Sequence, residues 1–524
     1  MTLTALPRNA YPWGHAALAV AAGAAQAASI ATPWNGQPAW WLQIASLAVL
    51  AGLLSRQATA RRAAVLGWLF AIAWLAGTWW WLFVSMHVYG GLPAPLAVIA
   101  VLALAASLGA YYALASALAW RLGRKGPATR ALVFGGAWLL AELMRGVWFT
   151  GFPWGAGGYA HVDGPLAALA PWVGVYGIGF VAAVAASLLA SLTLVIRSSD
   201  ASREMRMPLW AVFGVWGLGV AAAHLVPAGD TAPSGKPLSV ALLQGNIAQD
   251  EKFQSGSGIP QALDGYARAL QASTASLTVA PETAIPLLPS QLPAGYLESI
   301  TAHLARQQQA ALIGIPLGSF ARGYTNSVIG LGLPGEPYRY DKHHLVPFGE
   351  FIPPLFRWFT DLMQIPLGDF SRGRVDQAAF AWQGQRLAPN VCYEDLFGEE
   401  LARRFADPAQ APTILVNLSN IAWFGNSVAI DQHLQISRMR ALELQRPMIR
   451  ATNTGATALI DASGQVIQLL PRHTRGVLEG QVQGYTGQTP FVRWASAWGL
   501  APAWVLALAI LLAAMALERR RPQA

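Results

Sequence analysis

Long apolar stretches separated by short loops dominate the first 226 residues of the chain, and one more lies near its end. Crossing a bilayer core takes roughly 20 apolar residues in a helix. Eight stretches come close to this length: residues 14–31, 39–54, 63–86, 94–120, 131–148, 165–196, 208–226 and 498–517. The pattern predicts a multi-span α-helical membrane domain with about eight transmembrane helices.

Basic residues are concentrated in alternate loops between these stretches. They lie between spans two and three, four and five, and six and seven: Arg56, Arg61, Arg62, Arg121, Arg124, Lys125, Arg130, Arg197, Arg203 and Arg206. The loops at residues 86–93 and 149–164 contain no Lys or Arg. Because basic loops stay in the cytoplasm, residues 227–497 are expected on the outer side, which is the periplasm in a bacterium with two membranes. Ala25-Gln26-Ala27 resembles a signal-peptidase site, but we expect the first helix to be retained.

Residues 237–485 have the pattern of a soluble α/β domain. Seven short runs rich in β-formers predict strands at Leu238–Gln244, Leu277–Ala280, Ala311–Ile315, Ser327–Leu331, Leu387–Val391, Thr413–Leu418 and Met448–Thr452. Helical patterns follow at Pro260–Thr274, Leu396–Phe405 and Val428–Gln445. Mixed strands and helices over about 250 residues indicate one domain. The predicted division is a membrane domain at 1–226, a linker at 227–236, the α/β domain at 237–485, and a last helix with a basic tail at 486–524.

The composition agrees with this division. Only 12% of the 524 residues are charged and 54% are hydrophobic, whereas a soluble protein has about a quarter of its residues charged. Much of the net charge of +9 comes from the basic loops, where arginine meets anionic lipid headgroups. No basic stripe with interleaved aromatic residues stands out in the α/β domain, so a nucleic acid is not an expected partner. Without an evident oligomerisation motif, we expect a monomer.

Cys392 is the only cysteine of the chain, and it directly follows the predicted strand Leu387–Val391. A lone thiol is either an inert core residue or a reactive nucleophile. Glu282 lies just after another predicted strand, and Lys342 lies in a polar run between the two. Because catalytic groups gather at the carboxyl ends of strands in α/β sheets, we expect these three side chains to converge.

Glu282, Lys342 and Cys392 make a complete set for acyl transfer. The carboxylate takes the thiol proton, the sulfur attacks an acyl carbon, and the ammonium stabilises the oxyanion. Two alternatives stay open on the residues alone. Glu282 and Lys342 could be ordinary surface residues, or His343 or His344 could serve as the base in a Cys–His arrangement. Adjacent histidines point to opposite faces of a strand, so a shared metal is not expected.

Three segments, in this order and spacing, resemble the Glu-Lys-Cys signature of the nitrilase superfamily. They are Pro281-Glu282-Thr283, Lys342 with the run from His344 to Glu350, and Asn390-Val391-Cys392-Tyr393-Glu394. Joined to a multi-span membrane domain, they resemble the apolipoprotein N-acyltransferase family, the membrane-embedded branch of that superfamily. Further similar segments lie at residues 150–154, 158–159, 163–166 and 244–247.

The resemblance implies a nitrilase-like αββα sandwich on the periplasmic face of the inner membrane. Glu282, Lys342 and Cys392 match the catalytic triad, and the supporting residues near the nucleophile are Glu350, Tyr393 and Glu394. The implied reaction moves an acyl chain from the sn-1 position of a phospholipid to Cys392 as a thioester. The chain then passes to the α-amine of the S-diacylglyceryl cysteine at the N-terminus of an apolipoprotein. No metal or other cofactor is implied.

Departures from the family pattern and candidate lipid contacts also follow from the resemblance. Ile421 stands where the family usually has an acid, which bears on the order of the loop before Trp423, and Ala280 replaces a common tryptophan. Trp423 is a candidate substrate contact. So are Phe356, Trp358 and Phe359 in the apolar segment 353–363, which either dips into the membrane or belongs to the domain core.

Two other functions are alternative hypotheses. A membrane-tethered amidase or nitrilase would use the same triad with water as the second substrate, but a simple tether needs only one span. A transporter with an outer binding domain would need ionisable residues at mid-membrane. Glu142 and Arg145, three residues apart in span five, are the only candidates. We expect them to form a structural pair inside the helix bundle.

Overall fold

The structure is a computed structural model that describes residues 13–195, 228–319, 321–352 and 370–519, with a few single positions between 210 and 221. The predicted span 208–226 lies largely outside the described residues. Phe356, Trp358 and Phe359 lie outside them as well. The described chain forms a helical domain and an α/β sandwich that pack directly against each other.

The helical domain consists of apolar helices whose backbone groups bond within each helix, as lipid surroundings require. They are α1 (Trp13–Ala27), α2 (Trp40–Ser55), α3 (Ala60–Trp79), α4 (Ala94–Leu122), α5 (Pro127–Val147) and α6 (Ala170–Val195). Five described segments are long and apolar enough to cross a membrane: Ala60–Trp79, Ala94–Leu122, Pro127–Thr150, Pro165–Leu192 and Ala501–Arg519. The prediction of about eight spans is thus supported for five, because α2 is a shorter apolar helix and α1 has only 15 residues.

The α/β domain is built on two six-stranded sheets. A short strand β1 (Ala232–Pro233) precedes them and pairs with β14 (Tyr485–Thr486), so the two ends of the domain are adjacent. The first sheet has the order β13-β2-β3-β4-β5-β6. Its strands are β2 (Leu238–Gln244), β3 (Leu277–Ala280), β4 (Ala310–Ser319), β5 (Gly323–Leu331), β6 (Tyr338–Asp341) and β13 (Gly476–Val482).

The second sheet has the order β12-β11-β10-β9-β8-β7. Its strands are β7 (Phe380–Trp382), β8 (Gln385–Val391), β9 (Ile414–Ser419), β10 (Met448–Thr452), β11 (Ala458–Ile460) and β12 (Val466–Leu469). Strands β2, β3 and β4 run parallel in the first sheet, and β8, β9 and β10 run parallel in the second. Parallel strands present their carboxyl ends at one sheet edge, where ligand sites form.

Apolar residues from both sheets interdigitate to form the central core, with Val240, Leu312, Leu387 and Val416 among its members. Helices α7 (Gly258–Ala272) and α8 (Tyr296–Gln307) cover the outer face of the first sheet. Helices α9 (Gly398–Arg403) and α10 (Ala429–Leu444) cover the second sheet. The predicted αββα sandwich is therefore confirmed. Helix α11 (Pro490–Trp498) then leads to α12 (Ala501–Arg519), which returns to the helical domain.

Helix α10 is polar in sequence yet buried along nearly its whole length, because it lies between the second sheet and the helical domain. The side chain of Gln432 shows how its polar groups are satisfied. Its Oε1 accepts hydrogen bonds from the indole N–H groups of Trp81 at 3.1 Å and Trp154 at 2.8 Å. Its Nε2 donates to the carbonyl of Thr78 at 3.2 Å. Because the buried amide of Gln432 is hydrogen-bonded through both its oxygen and its nitrogen, it fixes the orientation of α10 relative to the helical domain.

A break in helix α6 provides a second polar connection between the domains. Gly174 has a φ of +65°, which interrupts the helix and frees the backbone N–H of Val175. That N–H donates to Glu443 Oε1 of α10 at 2.7 Å. Arg438 of the same helix forms an ion pair with Asp163 in the loop before α6. The two domains are therefore held by specific hydrogen bonds in addition to apolar packing.

The expected pairing of Glu142 with Arg145 is wrong. Among the described residues each side chain bonds instead to the loop that follows α5. Arg145 donates to the carbonyls of Phe152 at 2.6 Å and Trp154 at 2.9 Å. Glu142 Oε1 accepts from the backbone N–H of Gly157 at 2.8 Å. Buried backbone groups need partners, and these two side chains satisfy them, so their role is to hold this loop against the α/β domain.

Candidate active site

Cys392 lies at the first position after β8, in a turn that aims its side chain away from the strand. Its φ of +51° is in the left-handed region, which a residue with a Cβ adopts only when its surroundings enforce it. Two side chains hold its carbonyl oxygen: His433 Nε2 donates at 3.2 Å and Asn417 Nδ2 at 3.4 Å. Side chains from helix α10 and strand β9 therefore fix the strained turn at Cys392.

The ring of His433 is held in one tautomer by a buried network. Arg450 donates to His433 Nδ1 at 2.8 Å, so the ring proton lies on Nε2 and points at Cys392. Burial and the charge of Arg450 hold the pKa of His433 well below its usual range, which keeps the imidazole neutral. Asp395 balances Arg450 at 3.4 Å. His433 is thus a positioning residue that contacts the nucleophile's backbone.

Glu282 follows β3 and is 8% exposed, with hydrogen bonds on both carboxylate oxygens. Its Oε1 accepts from Asn326 Nδ2 at 2.7 Å, and Lys342 Nζ lies 3.4 Å from the same oxygen. Its Oε2 accepts from the backbone N–H of Asn420 at 2.8 Å. The carboxylate is therefore fixed where strand ends from both sheets meet.

Lys342 follows β6, is 1% exposed, and is bound by two carboxylates. Its Nζ lies 2.9 Å from Glu350 Oε1 and 3.4 Å from Glu282 Oε1. Burial alone would lower the pKa of Lys342, but Glu350 and Glu282 outweigh it and hold the pKa above its usual range. The ammonium therefore keeps its charge at neutral pH, as an oxyanion partner must. Glu350 Oε2 also accepts from the backbone N–H of Val346 at 2.8 Å.

The thiol of Cys392 is close enough to this network to respond to its charges, and the residue keeps partial contact with solvent. Burial raises the pKa of the thiol to about 12, and the charge of Glu282 adds to the rise. The charge of Lys342 acts in the opposite direction. At rest Cys392 is therefore a thiol, and an attack by its sulfur would need an adjacent base to take the proton.

Lys252 is a second buried cation at the site, and sequence reasoning missed it. It lies between β2 and α7, is 2% exposed, and its Nζ donates to the backbone carbonyl of Glu282 at 3.1 Å. Burial lowers the pKa of Lys252 to about 8, although Glu282 and Cys392 favour its charged form. Lysine in a polar segment ordinarily lies on the surface, so only the three-dimensional contacts mark this residue.

We expect Lys252→Met to change how thermal stability depends on pH. Below about pH 8, folded and unfolded states both carry the proton, so the wild type bears the full penalty of the buried charge. Between about 8 and 10.5 the folded state releases a proton that the unfolded state keeps, so wild-type stability rises with pH. The gap between these pKa values corresponds to about 3 kcal/mol. The melting temperature of the wild type in detergent should therefore rise relative to the variant across this range.

The exposed Lys236 supplies the control for this measurement. Lys236→Met removes the same charge without a buried site, so its melting temperature should follow the wild type at every pH. A constant difference between wild type and Lys252→Met from pH 7 to 10.5 would show that Lys252 has an ordinary pKa.

Glu394 connects the Lys342 segment to the Cys392 turn. Its carboxylate accepts from the backbone N–H groups of Val391 at 2.6 Å and His343 at 2.7 Å. It also accepts from the hydroxyl of Tyr340 at 2.9 Å. Because these donors belong to both segments, Glu394 fixes the position of the ammonium relative to the thiol.

The adjacent histidines are bound elsewhere in this arrangement. His344 Nδ1 lies 3.0 Å from Glu400 and its Nε2 lies 2.9 Å from the carbonyl of Thr150. His343 Nδ1 donates to the carbonyl of Gly373 at 2.8 Å. With both rings engaged by other groups, the structure favours Glu282 over either histidine as the base.

Tyr393 attaches the nucleophile turn to the helical domain. Its hydroxyl donates to the carbonyl of Gly151 at 3.0 Å, and its ring stacks with Phe152 at a centroid distance of 6.2 Å. Arg145 holds the same loop from the other side. Tyr393, the residue next to Cys392, therefore connects the nucleophile turn directly to the loop that follows α5.

Aromatic residues of the turn Ile421–Phe424 lie at the boundary with the helical domain. The ring of Phe424 lies 4.2 Å from that of Trp81, and the ring of Trp423 lies 5.9 Å from that of Tyr89. We call these four side chains the aromatic seam. It offers an apolar surface between the helices and the strand ends that carry the site.

Ile421 itself is 1% exposed, and its Cγ2 lies 2.6 Å from the position that a Cβ on Gly455 would take. The preceding residue orders this loop. Asn420 donates its backbone N–H to Glu282 and its side-chain Nδ2 to Gln249 Oε1 at 2.9 Å. The loop is therefore held by Asn420, while Ile421 contributes apolar packing.

An αββα sandwich with a cysteine, a glutamate and a lysine at its strand ends defines the nitrilase class of carbon–nitrogen hydrolases. Residues 239–491 match the family described as "Carbon-nitrogen hydrolase". Residues 22–188 match the "Apolipoprotein N-acyltransferase N-terminal domain". The chain therefore joins a nitrilase-like domain to the N-terminal domain of apolipoprotein N-acyltransferases.

Similar proteins agree along almost the whole chain. The apolipoprotein N-acyltransferase of Verminephrobacter eiseniae (strain EF01-2) is 60% identical over 508 residues, covering 93% of each chain. That of Ralstonia nicotianae (strain ATCC BAA-1114 / GMI1000) is 48% identical, covering 92% of this chain and 90% of the relative. The chain therefore belongs to the apolipoprotein N-acyltransferase family, and it is an acyltransferase. A carbon-nitrogen hydrolase structure from Helicobacter pylori G27 is 16% identical with a TM-score of 0.36, covering 47% of this chain and 90% of that one.

Proposed function

We propose that this enzyme moves an acyl chain from the sn-1 position of a phospholipid to the N-terminal S-diacylglyceryl cysteine of apolipoproteins. The observation that carries the mechanism is the buried network in which Glu282 and Lys342 share a 3.4 Å contact beside the Cys392 turn. Glu350 and Glu394 support the network, and Tyr393 attaches it to the helical domain. The aromatic seam, with Trp423, is our proposed path for the donor chain.

In the first half-reaction, Glu282 takes the proton from the Cys392 thiol as the sulfur attacks the ester carbonyl carbon of the phospholipid. Lys342 stabilises the oxyanion of the tetrahedral intermediate. The carbon–oxygen ester bond then breaks, and the departing glycerol oxygen takes the proton back from Glu282. The products are a thioester on Cys392 and a lysophospholipid.

In the second half-reaction, the α-amine of the apolipoprotein's modified cysteine attacks the thioester carbon. Glu282 takes a proton from the attacking amine, and Lys342 again stabilises the oxyanion. The carbon–sulfur bond breaks, and the proton on Glu282 returns to the sulfur. The amide product leaves and the free thiol is restored.

We place the α/β domain of residues 237–485 on the periplasmic side of the bacterial inner membrane. The basic residues Arg56, Arg124 and Lys125 follow the last turns of α2 and α4. The loops before the first turns of these helices contact the α/β domain, so the basic residues lie at the opposite ends, as expected for cytoplasmic loops. In this arrangement, residues 1–226 and 486–524 hold the chain in the bilayer, and the enzyme works as a monomer. Phe356, Trp358 and Phe359 are proposed to contact lipid.

The alternative is an amidase or nitrilase that uses the same triad. It would release the acyl group to water instead of an amine. The aromatic seam favours the transferase, since an apolar surface suits an acyl chain and offers little to a small polar amide. No described feature favours hydrolysis.

Intact-mass spectrometry tests the proposal. Purified enzyme is incubated with phosphatidylethanolamine, alongside Cys392→Ala. We expect the wild type to gain the mass of one acyl chain, released by hydroxylamine, and the variant to gain none. Adding a synthetic diacylglyceryl peptide should discharge the adduct and yield an N-acylated peptide. Discharge to free fatty acid without peptide acylation would support the hydrolase, and an adduct on Cys392→Ala would refute the assigned nucleophile.

A further inference from the structure

A cavity of about 190 Å³ lies at the end of the helical domain away from the α/β domain. It forms where helices α2 and α4 end and α5 begins. Its polar lining is Ser55, Gln57, Trp120, Arg124, Arg130 and Ser187. Helix α2 starts, and helix α5 finishes, near the loops that contact the catalytic domain. The cavity therefore belongs to neither the active site nor the aromatic seam.

The charges around this cavity are positive, and none of the described residues that line it is acidic. The chain contains no Asp or Glu before Glu142. Arg130 is partly buried, and its guanidinium has no hydrogen-bond acceptor among the described residues. A partly buried cation without a counter-charge is unfavourable, so the arrangement suits an external anion.

The second arginine is held in place for such a contact. The guanidinium of Arg124 lies over the ring of Trp120 at 4.0 Å from its centroid. Stacking on an aromatic face restricts the guanidinium while leaving its N–H edge free to bind oxygen atoms. Paired N–H groups of arginine match the oxygen spacing of phosphate and carboxylate groups.

Two further donors point to the same kind of ligand. Ser187 is 1% exposed, lines the cavity, and its hydroxyl has no partner among the described residues. Helix α5 begins at Pro127 without a side-chain cap. The free N–H groups at the start of a long helix attract anions. A buried hydroxyl and two guanidinium groups therefore line one space, and Arg130 in this lining belongs to the first turn region of α5.

We propose that this cavity binds the headgroup phosphate of an anionic phospholipid. Phosphate chemistry explains the donor set, and the position of the cavity at the end of apolar helices favours a lipid as its source. The site is separate from the donor site at Cys392, so the bound lipid would be a resident ligand of the helical domain and not a substrate.

Native mass spectrometry of the full-length protein in detergent tests this proposal. Phosphatidylglycerol is titrated against the wild type, Arg124→Gln/Arg130→Gln, and a control, Arg61→Gln/Arg121→Gln. The control removes two exposed charges from the same end of the bundle that do not line the cavity. We expect the cavity variant to weaken binding of one lipid by about tenfold or more, as for loss of a charge-assisted hydrogen bond, and the control to change it less than twofold.

Each outcome bears on the proposal. Equal losses in both double variants would mean that diffuse charge attracts the lipid, and would overturn it. Binding of inorganic phosphate in place of phosphatidylglycerol would overturn the lipid source. Ser187→Ala should weaken binding while leaving the melting temperature unchanged, which separates ligand loss from misfolding. Thioester formation on Cys392 should be the same in all variants, so failure here is distinguishable from failure of the proposed function.

Discussion

Replacing Lys342 with methionine is expected to slow acyl-enzyme formation by about 10³-fold, near the upper end for removing one oxyanion donor. The ammonium is the charge placed between Glu282 and Glu350, at 3.4 Å and 2.9 Å. Methionine keeps the length of the side chain but leaves two buried carboxylates without their cation. The tetrahedral intermediate then loses its positive partner.

The rate is measured as the gain of one acyl chain over time by intact-mass spectrometry with phosphatidylethanolamine. Glu350→Gln is the matched comparison. It removes one ligand of Lys342 and leaves the ammonium, so we expect a smaller loss of about tenfold. A folded Lys342→Met that forms the thioester within tenfold of the wild-type rate would remove Lys342 from the mechanism.

Glu394→Gln is expected to lower both stability and rate although Glu394 makes no contact with the thiol. The carboxylate accepts from the backbone N–H groups of Val391 and His343 and from Tyr340. A glutamine of equal size presents an amide N–H₂ toward at least one of these donors. Facing a buried donor with another donor costs about 3 kcal/mol.

The same change is expected to slow thioester formation by about 10²-fold, since it loosens the spacing between Lys342 and Cys392. Thermal unfolding in detergent and the intact-mass rate measure the two effects. Glu400→Gln is the control, because this carboxylate is partly exposed and its hydrogen bonds within the described part of the chain are to His344. If Glu394→Gln melts with the wild type but loses activity, Glu394 takes part in chemistry and our positioning role for it is incorrect.

Much of the α/β fold could be predicted because the central strands are continuous apolar runs. Leu238–Gln244, Leu277–Ala280 and Met448–Thr452 were predicted with their observed bounds. The turn residues 461–464 predict a hairpin, which the antiparallel strands Ala458–Ile460 and Val466–Leu469 confirm. The strand Gly476–Val482 was missed, since it lies at a sheet edge and exposes alternate residues. Edge strands carry polar residues and a weaker pattern.

The candidate site could be predicted in part, where a reactive side chain follows the end of a predicted strand. Glu282 and Cys392 stand out because each follows a predicted strand, and Lys342 because it lies in a polar run between them. The structure brings their segments together. Lys252 and His433 carry no such local signal. Their importance comes from contacts between distant segments, which spacing along the chain does not encode.

Helical spacing was misleading for Glu142 and Arg145. Residues three apart on a helix are neighbours, and the rule predicts an ion pair. The loop after α5 has buried backbone carbonyls and N–H groups, and such groups need hydrogen-bond partners. Each side chain therefore turns to this loop, a choice that depends on tertiary structure.

The polar helix α10 has a consequence for how the protein can be recombined. Its residues bind both the α/β domain and the helical domain. His433 donates a hydrogen bond to the carbonyl of Cys392, and the adjacent Gln432 accepts hydrogen bonds from Trp81 and Trp154. A chimera that joined the α/β half of one relative to the helical half of another would mismatch this layer, even with a correct junction in the linker. Exchanging a domain of this protein therefore requires moving α10 together with Trp81 and Trp154.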